Sequence, residues 1–255
     1  MSHFFLVFTS VLRRTLPNLP LMSLLLIIPL GLIGINSVAG EITLLDGYNL
    51  GASFSLPALV LGFQFFNVGI VLAFLYEDFR GDMRWRLRAS PHSLMSFVLP
   101  TFMAGWLLSI IFGLVVTAVA TIAFNVYLGN LLVFVTVLLL ISLMATLIGM
   151  LLFLLVKKFS AANTAVYIIS FGLMILSGFM FPLGSSALAE FVQTYGTPLA
   201  LGTRAIAYSG MLNDLDPEIF AGGGMEQALI NIGVLAAITV VLAILALVVS
   251  RRQGV

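Results

Sequence analysis

Four arginines, Arg80, Arg84, Arg86 and Arg88, stand between two long apolar runs, preceded by Glu77 and Asp78 and followed by Pro91. Their charges can pair with a protein docked from water, or they can serve as a solvated anchor beside a membrane. Neither role is possible at bilayer depth, where four arginines would cost on the order of 10 kcal/mol. The segment from Glu77 to Ala89 can form a short amphipathic helix in water. Elsewhere the side chains suited to chemistry are few. The lysines are Lys157 and Lys158, both following Val156, so the Gly-Lys-Ser/Thr needed to cradle a nucleotide's phosphates is missing. The histidines, His3 and His92, are far apart, and no His-Glu-x-x-His pair exists to hold zinc. The chain has no cysteine, which excludes thiolate sites and disulfides. Ser177 has no histidine or lysine in its own apolar run to act as a base.

The frame that carries these residues is apolar. Hydrophobic residues make up 61% of the 255-residue chain and charged residues 8%, with a mean hydropathy of +1.19. A soluble domain is about 45–50% apolar and about 25% charged, so lipid is the solvent expected here. Crossing roughly 30 Å of hydrocarbon takes about 20 helical residues. Six runs approach or exceed that length: 21–38, 55–76, 96–124, 131–156, 161–182 and 227–250. The expected fold is therefore an all-α integral membrane protein with six transmembrane helices in one domain. Residues 2–16 differ: Phe4, Phe5, Phe8, Val11 and Leu12 follow helical spacing before Arg13 and Arg14. They predict an amphipathic helix lying at the inner interface. Between the fifth and sixth runs, residues 183–226 hold two helical stretches, 187–195 and 199–212, too short to span. They are expected either to re-enter the membrane or to lie flat on its outer surface.

Charge orients this frame. With the N-terminus inside, ten of the eleven basic residues fall on the inner side, and Arg204 is the exception. That bias places both termini in the cytoplasm. The net charge of +1 gives no reason to expect a nucleic-acid partner. No charged residue lies in the middle of any run, which weighs against ion-coupled transport. The polar side chains at depth are Gln64 and Asn67, on one helical face at i and i+3. They either line a cavity or gate, or bond to a neighbouring helix. Ser109/Gly113 and Ala145/Gly149 have the small-xxx-small spacing of close helix packing.

The ordered motifs resemble the ABC-2 family of ATP-binding-cassette transporter permeases. The loop 77–95 carries Glu77, Arg80, Gly81, Arg84, Arg88 and Pro91 in the family's order. The fifth run opens near Ala162-Asn163 and closes with Ser177-Gly178-Phe179-Met180-Phe181-Pro182. Pro198 and Arg204 resemble the family's Pro-to-Arg stretch, with shorter spacing and Thr197 in place of Asn. The resemblance implies a non-catalytic subunit that pairs with a second permease copy or paralogue. Each would dock on a cytoplasmic ABC ATPase subunit, and that partner would bind ATP and Mg. The six loop residues would form its coupling helix, and Phe179 and Met180 would plug the outer vestibule. The expected function is export of amphipathic or lipid-like compounds, such as antimicrobial peptides, drugs or lipids, across a plasma membrane, the bacterial inner membrane above all. The alternative is an ion-coupled carrier or channel without an ATPase.

Overall fold

The computed structural model describes residues 3–15, 19–39, 48–80, 95–178, 184, 186–211 and 224–252, and its long elements are all helices. They are α1 (His3–Thr15), α2 (Leu19–Ala39), α3 (Leu50–Arg80), α4 (Met95–Phe124), α5 (Leu131–Leu155), α6 (Phe159–Leu176), α7 (Ala187–Tyr195), α8 (Pro198–Ile206) and α9 (Met225–Arg252), with a π turn (Ala207–Met211) after α8. Five of them, α3, α4, α5, α6 and α9, are long and apolar enough to cross a membrane. Helix α2 runs unbroken through Pro29.

Polar caps mark where several of these helices start. The Asn130 side chain accepts from the Leu132 and Val133 amides at 3.0 and 3.3 Å and opens α5. Thr197 accepts from the Ala200 amide at 3.0 Å and opens α8, with Pro198 in the first turn. Such side-chain acceptors satisfy amides that a helix start leaves free. The fifth expected span stops early: α6 ends at Leu176, and Gly178 turns the chain at φ +74°. The Gln193 side chain of α7 would lie 2.9 Å from a β-carbon at Gly178. Backbone conformation and close approach thus both require glycine there.

Helix α3 is the axis. It packs against α2, α4, α5, α6 and α8, and 67% of its apolar stretch is buried against 17% for α9. Its neighbours come close through glycines. A β-carbon at Gly105 of α4 would stand 2.2 Å from Val71 Cγ2, and one at Gly149 of α5 would stand 2.1 Å from Val68 Cγ1. The sequence spacing Ala145/Gly149 is thus a contact face against α3. The outward faces of α4, α6 and α9 stay apolar, with Ile111, Ile168 and Val240 among their exposed side chains. That surface suits lipid or another apolar helix.

Of the two short helices after α6, α8 is the more deeply buried. Leu199, Ala200, Leu201, Ala205 and Ile206 are buried, and α8 packs on α3, α5 and α9. Gly202 faces Val137 and Ile141 of α5 and Leu61 of α3. Val137 lies about 9 Å along α5 from its start, at 1.5 Å per residue. Helix α8 is therefore seated inside the bundle, beside α5 and α3.

Replacing Gly149 by alanine forces Val68 aside and should cost about 1–3 kcal/mol. Thermal unfolding in detergent checks this, with Gly172→Ala, where nothing lies within 4 Å, as the neutral control.

Candidate functional site

Three features converge on α3: a charged clamp at one end, a polar seam at mid-height, and an apolar groove along one side.

The clamp joins α1 to α3. Arg14 Nη1 donates to Asp78 Oδ1 at 2.8 Å, and Nη2 donates to Glu77 Oε2 at 2.7 Å. The guanidinium carbon sits 4.9 Å from the centre of the Phe74 ring. Phe74, Glu77 and Asp78 fall at i, i+3 and i+4, so one face of α3 forms the receptor. The hydrogen bond to Asp78 holds the Arg14 guanidinium above its ordinary value; burial opposes the shift, and the charges of Asp78 and Glu77 add to it. A pKa raised on folding adds stability below the ordinary arginine value and loses it only as pH rises through the folded one. Arg14 therefore stays charged throughout the physiological range.

Sequence reasoning put Glu77 in a loop, as an ATPase-coupling residue. In the structure α3 continues through Glu77 and Asp78 and closes at Arg80, and Glu77 holds Arg14. Gly81, Arg84, Arg88 and Pro91 lie outside the described residues, as does most of the expected loop 77–95. Sequence reasoning missed the role of Arg14 in this clamp. The available signal was the Phe74/Glu77/Asp78 face, which presents a ring and two carboxylates to a cation. The same end of α3 is pinned by a second contact. The Tyr76 hydroxyl donates to the Val156 carbonyl at 2.5 Å, in the turn between α5 and α6. Tyr76 also packs on Phe153 and Phe159, and Phe79 packs on Phe97 and Phe153.

Helix α1 is amphipathic, as its spacing predicted, but its inward face meets protein. Val11 and Thr15 are buried and Phe4 and Phe8 half-buried, and the helix packs along α4. Lipid tails are as apolar as a helix face, so apolar contact alone does not choose between them. The Arg14 bonds supply the direction.

The seam is built from Gln64, Asn67 and Ser109. Ser109 Oγ donates to Gln64 Oε1 at 2.6 Å, and Asn67 Nδ2 donates to Ser109 Oγ at 3.1 Å. Gln64 Nε2 donates to the Val60 carbonyl at 3.0 Å. Gln64 is 1% exposed and Asn67 9%, so the pair the sequence singled out bonds to the neighbouring helix. Gly113 leaves the room: a β-carbon there would be 3.0 Å from Gln64 Nε2 and 2.9 Å from Leu138 Cδ1. Asn67 also borders a narrow crevice with Ser109 and Thr146. Phe179 and Met180, the expected gate, lie outside the described residues.

The groove has a volume of about 620 Å³ and runs between α2, α3 and α6. Leu32, Phe63, Phe66, Ala73, Phe74 and Phe171 are among its apolar walls. Asn163 and Tyr167, both on α6, supply polar atoms. A β-carbon at Gly69 would stand 3.1 Å from Asn163 Oδ1, so the bare backbone of Gly69 makes space for the amide. A mostly apolar cleft of this size with few polar groups is the usual form of a small-molecule site. Neither Gln64 nor Asn67 lines it. Among the described residues no group of acidic residues or histidines could hold a metal ion.

A helical bundle with five long apolar helices and lipid-suited outer faces is that of a multi-pass membrane protein. Residues 5–209 match the ABC-2 type transporter family, and the chain belongs to that family. No curated protein matches the chain.

Ser109→Ala removes the group that links Gln64 to Asn67 and should destabilise the bundle by about 0.6–2 kcal/mol. Unfolding in detergent, compared with a Ser109→Thr variant that keeps the hydroxyl, checks the direction.

Proposed function

We propose that this chain is the membrane subunit of an ATP-binding-cassette exporter that moves amphipathic or lipid-like compounds. The reading rests on the groove of about 620 Å³ between α2, α3 and α6, with its apolar walls and its polar Asn163 and Tyr167. An acyl chain or a drug-like ring system fits those walls, and a headgroup or amide fits the polar side. Energy would come from a separate cytoplasmic ATPase that binds ATP and Mg, because the sequence carries no phosphate-binding lysine motif. A second copy or a paralogue would complete the pathway. Helix α2 would be the first of six spans, with both termini on the cytoplasmic side of a bacterial inner membrane. The clustering of Arg14, Glu77, Asp78 and the Val156–Lys158 turn at one end of the bundle supports that orientation. Residues 77–91 would be the segment that the ATPase moves.

Filling the groove tests the cargo reading. Ala73→Trp should lower cargo-stimulated ATP hydrolysis about tenfold or more while leaving basal hydrolysis in place. A loss of about 1.4 kcal/mol of binding gives that factor. The measurement uses the chain reconstituted in liposomes with its ATPase and a fluorescent phospholipid or cationic dye as probe. Unchanged stimulation would show that the groove does not carry cargo.

Removing residues 80–88 should abolish co-purification of the ATPase from a correctly inserted protein. Retained association would exclude the coupling role. Flux through the chain alone, driven by an ion gradient, would instead identify a carrier.

A further inference from the structure

Acidic side chains are out of place where Glu77 and Asp78 stand. They occupy the last turns of α3, the end at which the helix dipole is negative, and their adjacent carboxylates repel each other. A cation between them offsets both effects, and Arg14 is that cation. A single exposed ion pair contributes little. Here one planar guanidinium reaches two carboxylates at 2.7 and 2.8 Å and lies over the Phe74 ring at 4.9 Å. Three simultaneous contacts fix its direction as well as its distance.

Among the described residues, no other side chain of α1 makes such a bond. Thr9, Ser10 and Thr15 donate their hydroxyls to carbonyls of their own helix. The apolar stripe against α4 is non-directional and permits sliding. Arg13, next to Arg14, is exposed and has no ion pair among the described residues.

We propose that Arg14 is a positioning residue that makes α1 and the charged end of α3 move as one body. A displacement of that end then reaches α4 through α1, and the turn between α5 and α6 through Tyr76. Glu77 serves this internal joint. The functional consequence rests on the permease reading above, in which an ATPase moves the segment that follows α3.

The absence of cysteine makes the joint measurable. Spin labels on L6C and I168C, at exposed positions of α1 and α6, report where α1 sits on the bundle in the full chain in nanodiscs. The parent protein and R13Q should give one narrow distance distribution. R14Q should broaden it and speed amide exchange in α1 about tenfold or more, the size of a lost charged hydrogen bond. E77Q/D78N should do the same, and combining both sets should add nothing further. R14K should fall between, and R14E/D78R should narrow the distribution relative to R14E. An R14Q distribution as narrow as that of R13Q overturns the proposal, as does additive broadening from the two sides. If R14Q does not fold, R14K and E77Q/D78N give the same decision.

None of these distances needs an ATPase, so the joint and the permease reading fail separately. With an ATPase present, R14Q should keep co-purification and lose cargo-stimulated hydrolysis. R14Q hydrolysis equal to that of R13Q would remove the transmitting role.

Discussion

Two valines set against two glycines fix the geometry of this bundle. Val71 of α3 fills the space where Gly105 has no side chain, and Val68 does the same at Gly149. Between apolar helices in lipid, hydrophobicity gives no preference for protein over solvent, so packing and polar bonds decide which faces meet. The valine contacts bring α4 and α5 against α3 from two sides. Because α3 also touches α2, α6 and α8, each of those helices takes its place relative to this axis. The Ser109 bonds to Gln64 and Asn67 fix the rotation of α4 against α3. The groove lies between α2, α3 and α6, walled by Phe63, Phe66 and Phe171, with the bare backbone of Gly69 leaving room for Asn163.

The charged end adds a different kind of order. Apolar packing tolerates small slides, while the Arg14 fork and the Tyr76 hydroxyl do not. Both attach to the last turns of α3, next to the segment expected to meet an ATPase. In the joint proposed above, a displacement of that end would carry α1 with it.

Much of this was legible in the sequence, and the reason differs by element. Hydropathy and basic residues located α4 and α5 to within a residue, because lipid demands long apolar runs and water takes the charges at their ends. The stretch 187–195 was placed correctly, since its apolar spacing is helical and too short to span. The fifth span was read too long, because Phe179, Phe181 and their neighbours are apolar while Gly178 turns the backbone. Glu77 was assigned to a loop, because charge ends an apolar run without ending the helix beneath it. Arg14 was read as an orientation signal, because its partners lie 63 and 64 residues away and no local pattern joins them. The groove draws its walls from three helices and was not legible in any one of them.

The buried position of α8 makes the closing of the bundle depend on helices far apart in the chain. A short helix that starts after the non-helical link at Gly196 and Thr197 leaves backbone groups that bare hydrocarbon cannot satisfy. Its slot is formed by α3 and α5, synthesised earlier, and by α9, synthesised later. The contacts that bury α8 are therefore complete only once α9 is in place. Helix α9, with 17% of its apolar stretch buried, closes that slot while most of its surface stays exposed to lipid or another helix.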